Sequence, residues 1–136
     1  LRLAIAALLI LVACDGDRPD AERVITAVDR YRRAENPEKP ARADDLRATP
    51  CSAADVCRAK EACLASAEPT AKALRLKQEV EKTLGAVERG ELPQDSPEAR
   101  ALPKKLDDAE AFLKDGFDHL TSCDAEIIAL RRKHRL

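Results

Sequence analysis

From Ala99 onward, small and apolar residues fall at Leu102, Leu106, Ala109, Leu113, Gly116, Leu120, Cys123, Ile127 and Leu130, in steps alternating between three and four. This spacing keeps one helix face apolar along its length and is the pattern of coiled-coil packing. It predicts a helix from residue 97 of about 35 residues, or roughly 50 Å. Ser96 is its N-cap and Pro97 its first residue. Upstream, Ala73, Leu76, Val80, Leu84 and Val87 form a second seam that ends at Gly90. Residues 92–95, around Pro93, read as a turn. The two seams predict an antiparallel hairpin. In such a pair the numbers of opposed residues add to a constant. Val87 with Ala99, Leu84 with Leu102, Val80 with Leu106, Ala73 with Leu113 and Cys63 with Cys123 all give 186.

The other segments are shorter. Residues 20–34 place Ala21, Val24, Ile25, Val28 and Tyr31 at helical spacing, with Glu22, Arg30, Arg32 and Arg33 on the other face. This predicts a third, N-terminal helix packed on the hairpin. Residues 38–50 hold Pro40 and Pro50 and few large apolar side chains, and read as an exposed connection with at most a turn of helix from Asp44 to Leu46. Residues 52–68 read as helix, with Ser52 and Asp55 resembling a capping box. Pro69 interrupts that helix, either as a kink or as the first turn of a new one. Aromatic residues make up 2% of the chain and charged residues 36%. That balance favours helices over sheets and leaves a thin core of small side chains that gains from covalent bridges. The predicted fold class is all-α: a long antiparallel helical hairpin with a third N-terminal helix, braced by two disulfides.

Setting Cys14 aside, four cysteines remain, which pair in three ways. Cys57 and Cys63 on one helix are separated by a rise of about 9 Å, beyond the ~7 Å Cα limit of a disulfide. Cys51 and Cys63 would be farther apart still. The pairing left is Cys51–Cys57 with Cys63–Cys123, and the hairpin register arrives at the second bridge independently. A metal centre is disfavoured, because cysteines six apart point to different helix faces and no histidine lies near them in sequence.

The first 13 residues consist of Arg2 near the start and a short apolar run ending in Ala13. This is the form of a secretory signal peptide, and it is too short to span a bilayer, which takes roughly 20 residues. Leu11-Val12-Ala13-Cys14 resembles the lipobox of bacterial lipoproteins. That resemblance implies cleavage between Ala13 and Cys14, diacylglycerol on the Cys14 thiol and acylation of the new amino group. It implies a chain divided into a signal peptide (1–13), a lipidated tether (14–19) and a helical domain (20–136), held at a membrane facing the periplasm. Asp15 resembles the inner-membrane retention signal of enteric lipoproteins.

No constellation for catalysis emerges. His119 lies near Asp115 and Asp118 but has neither a nucleophile nor a second ligand beside it in sequence, and His134 belongs to a basic, solvated terminus. The pairs Asp44-Asp45 and Asp107-Asp108 are neighbours in sequence and point apart on a helix. With 24 basic and 25 acidic residues the chain lacks the charge of a nucleic-acid binder. Arg131, Arg132, Lys133 and Arg135 favour the negative end of a helix dipole, with anionic lipid headgroups as the alternative contact. The expectation is therefore a protein without catalytic residues, cofactor or metal. Its contacts would be the membrane through Cys14 and an envelope protein or a second copy. The alternatives are a small ligand-binding helical module and an inhibitor of an envelope enzyme.

Overall fold

The computed structural model describes residues 16–136, so the expected cleavage and lipidation positions, Ala13 and Cys14, lie outside the described residues. Six helices follow one another: α1 (Arg18–Arg33), α2 (Lys39–Ala48), α3 (Ala54–Glu88), α4 (Pro97–Arg100), α5 (Leu102–Asp118) and α6 (Leu120–His134). There are no strands among the described residues. The all-α hairpin with an N-terminal helix and two disulfides is the architecture found.

The hairpin is α3 against α4–α6. α3 runs through Pro69 as one element of 35 residues, roughly 52 Å long. It ends where Gly90 adopts a φ of +70°. There the Glu91 N–H donates to the Ala86 carbonyl and the Gly90 N–H to that of Val87, the pairing that closes a helix through a left-handed residue. Ser96 caps α4 by accepting from the Ala99 N–H, as expected. The return arm bends twice. Pro103 has no N–H for the Ala99 carbonyl, so the helix restarts at Leu102. A second break at His119 separates α5 from α6.

The register is the one read from the seams. Cys63 is bonded to Cys123, with Cα atoms 4.4 Å apart, and Cys51 to Cys57, with Cα atoms 5.3 Å apart. Thr70 and Gly116, whose numbers also give 186, are a further close approach of the two arms. A Cβ on Gly116 would run into the Thr70 Oγ1 and come within 2.7 Å of the Ser66 carbonyl oxygen. The Ser66 hydroxyl donates to the Gly116 carbonyl at 2.7 Å. Only glycine allows this approach.

Residues 38–50 are not the exposed connection expected. They form α2, which packs on α3 and α1 and buries Ala43 and Leu46. Pro40 is compatible because it sits in the first turn, where an N–H has no partner anyway. Charged neighbours then fix α2 in place, Arg75 to Asp44 at 2.8 Å and Arg47 to Glu68 at 2.7 Å, both from α3 or to it. Residues 18 and 19, expected in the tether, already belong to α1.

Ser52 is not the N-cap of α3. That position is Ala53, which has no capping side chain. Asp20 of α1 does the work from outside. Its carboxylate accepts from the Ser52 N–H (2.8 Å), the Ala53 N–H (2.9 Å) and the Ser52 hydroxyl (3.2 Å), while Arg23 holds its other oxygen at 2.8 Å. A carboxylate at the positive end of a helix is also favoured by the dipole. The two backbone N–H groups and Arg23 outweigh the cost of burial and hold the Asp20 carboxyl down at about 2. Asp20→Ala should therefore cost about 2 kcal/mol, the upper range for a lost cap. The folded state binds this proton less readily than the unfolded chain, where the ordinary value is 3.8. The stabilisation is complete above about pH 4 and disappears as pH falls through 2. Urea denaturation of both proteins from pH 7 to 2 should show the two curves converging in acid. A gap that stays constant with pH would count against this role.

Together these contacts divide the molecule. At one end α1, α2, α6 and the first half of α3 enclose the core of Ala21, Val24, Val28, Leu46, Val56, Ala59, Ile127 and Leu130. From there α3 and α5 extend as a two-helix arm toward Pro93. Apart from its sequence neighbours α4 and α6, α5 packs against α3 alone.

Candidate functional surfaces

The bare arm changes the meaning of the seam. Leu102, Ala109, Gly116, Cys123 and Leu130, seven apart, are buried. The intervening leucines, expected inside the hairpin, are not: Leu106 is 50% exposed, Leu113 48% and Leu120 39%. Phe117, one turn from Leu113 and Leu120, is 73% exposed. A two-helix pair buries only the stripe that faces its partner, and α1 packs on α3 and α6 without reaching α5. Four large apolar side chains are thus left in line over 14 residues, roughly 21 Å of helix. Apolar residues exposed singly are ordinary, but an aligned set on one face marks an interaction surface.

Charged groups edge this stripe. Lys114 pairs with Asp118 at 2.6 Å and Lys104 with Asp108 at 2.8 Å. Those carboxylates raise both lysines above their ordinary value. Among the described residues, Asp107 and Glu110 have no ion-pair partner. Asp107, Glu110, Ala111 and Lys114 line a shallow hollow of about 430 Å³ beside the stripe.

A second surface is the open groove between α1 and α2, of about 510 Å³ in its largest part. Arg23, Arg30, Arg33 and Arg42 line it along its length, with Glu22 and Glu38 among them. Arg23 and Arg42 are taken up by Asp20 and Asp45, whereas Arg30 has no ion pair among the described residues. The groove offers cationic hydrogen-bond donors to an anion but has no enclosed wall.

The residues weighed for chemistry are scattered. His119 is exposed, with its Nε2 3.7 Å from Asp115. Asp44 and Asp45 serve different arginines. No group of three potential metal ligands gathers among the described residues. The basic terminus is not free in solvent. Arg131 reaches Asp29 of α1 at 2.7 Å and Lys133 reaches Asp55 of α3 at 2.6 Å. That contact is the main reason the Asp55 carboxyl lies below its ordinary value. His134, expected in solvent, is buried on the same face as Ile127 and Leu130, with no partner for its Nε2. The helical period carries it to the core.

No helix among the described residues is long and apolar enough to cross a membrane. Comparison with family models, with curated proteins and with solved structures finds no match for this chain.

Proposed function

We propose that this chain is a lipid-anchored protein of the bacterial cell envelope, held at a membrane through Cys14, whose helical domain is an interaction module. The observation that carries the interaction reading is the apolar stripe of Leu106, Leu113 and Phe117 on α5, which apart from its sequence neighbours packs on α3 alone, continued by Leu120 at the start of α6. The anchor rests on Leu11-Val12-Ala13-Cys14 after an apolar run. Two disulfides support an oxidising compartment, since they are rare where thiols are kept reduced. α1 begins at Arg18, four residues after Cys14, so the tether can reach at most about 14 Å.

Mass spectrometry of membrane-extracted protein should show diacylglycerol and a further acyl chain on Cys14, with residues 1–13 removed. Cys14→Ser should move the protein from the membrane fraction to the soluble fraction, because two or more acyl chains are what make anchoring stable. An unmodified Cys14 in mature protein would remove the anchor. Photocrosslinking from Phe117 in intact cells tests the module, and the absence of any adduct would count against it. The α1–α2 groove favours a second reading, a site for an anionic ligand. Arg30→Ala with unchanged ligand retention in purified protein would dismiss it.

A further inference from the structure

The stripe on α5 has a charge pattern that selects its occupant. We propose that a second copy of this chain docks there, α5 against α5 in antiparallel orientation, so that two two-helix arms close into a four-helix bundle. This rests on the reading of the domain as an interaction module and adds the partner and the register.

The stripe is itself a heptad seam. Leu106, Leu113 and Leu120 occupy one position, and Glu110 and Phe117 the other. Asp107 and Lys114 occupy the position that flanks it on the side away from α3. In a parallel pair, Glu110 would meet Glu110 of the second copy inside the seam, an uncompensated repulsion. In an antiparallel pair, each position of one kind meets the other kind. Leu106 then faces Phe117 of the second copy, and Phe117 faces its Leu106. On the flank, Lys114 lies beside Asp107 of the second copy and reaches toward Glu110, which stands in the seam opposite Leu113, and the two-fold repeats this contact.

Those two carboxylates lack ion-pair partners among the described residues. Lys114 is paired with Asp118, and its side chain is 76% exposed, so it can turn. The arrangement is isologous, with one patch serving both copies, as closed two-fold dimers require. Four helices around a shared apolar centre are a recurrent solution for arms of this kind.

Cysteine crosslinking in the full chain separates the alternatives. In the antiparallel register, residues 106 and 117 meet across the interface, whereas 106 is far from 106 and 117 from 117. Within one chain the two are 11 residues apart, about 16 Å along the helix, and cannot bond. Leu106→Cys with Phe117→Cys in one chain should give a disulfide-linked dimer on mild oxidation of membranes. Each single variant should stay monomeric on a non-reducing gel. In the unsubstituted protein, Lys114→Glu should weaken self-association about tenfold, in the range of a few rim ion pairs. Adding Asp107→Lys and Glu110→Lys should restore it, measured by sedimentation.

Single variants that crosslink as well as the double would mean a parallel or unspecific contact and would overturn the proposal. A double variant that stays monomeric would overturn it too, and would leave the stripe to another protein or to the bilayer. Repeating the experiment with Cys14→Ser separates the two readings. Crosslinking without membrane association of the Cys14 chain would sink the anchor and leave the pairing standing. Association without crosslinking would do the reverse.

Discussion

Replacing Cys63 and Cys123 together by alanine should destabilise the protein by about 4 kcal/mol, and replacing Cys51 and Cys57 by about half of that. The difference follows from loop length. The first bridge closes 60 residues and the second 6, and the entropy removed from the unfolded chain grows with the logarithm of that number. Alanine keeps the buried Cys63–Cys123 site apolar, so the comparison reports the crosslink rather than a buried hydroxyl. The location adds to the effect. This bridge joins α3 to α6 beside α1, where Arg32 lies 3.3 Å from the Cys123 sulfur, so losing it loosens the end that holds the core. Urea titration should show a lower midpoint and a steeper slope, because the freed chain is more expanded when unfolded. Equal losses for the two bridges would show that loop closure is not what the long bridge supplies.

The same bridge marks what could be read from the sequence. Two heptad seams around Pro93 fixed the pairing of the arms, and Cys63 with Cys123 fell on it although Pro69 lies between the bridge and the first seam. Ala73, Val80 and Val87 repeat every seven residues, as the second seam does, so these positions stay opposed along the arm. What was not legible depended on the third dimension. Leu46 has one buried apolar residue near it on its own helix, Ala43, and ten residues with five charges read as a connection. The surfaces of α3 and α1 against which it packs make α2 a helix. Asp20 caps a helix 34 residues ahead of it, and no local rule couples the two. The spacing of Leu106, Leu113 and Leu120 predicts a place in the core that they do not hold. Spacing says that a face is apolar, not that something covers it. The candidate surface was therefore visible in sequence and misassigned to the interior.

Gly116→Val should be the most damaging single substitution in the arm, costing on the order of 3 kcal/mol, the upper range for overpacking. Taken alone, a helical glycine should be improved by a side chain, since glycine costs roughly 1 kcal/mol against alanine in a helix. Packing decides the sign here. Any Cβ would strike the Thr70 Oγ1 and come within 2.7 Å of the Ser66 carbonyl oxygen, which is backbone and cannot swing aside. The arms would have to part at this level, and the Ser66 hydroxyl would lose its bond to the Gly116 carbonyl. Alanine should show a smaller loss of the same sign. Thr70→Ser should recover little of it, because the hydroxyl stays. Thr70→Ala should recover part of the Gly116→Ala loss and none of the contact with Ser66. Thermal denaturation of the four proteins measures this as a double-mutant cycle. A Gly116→Ala protein more stable than the parent would mean that the arms do not approach this closely. The register that places Leu106, Leu113 and Phe117 on a free face would then lose its fixed point.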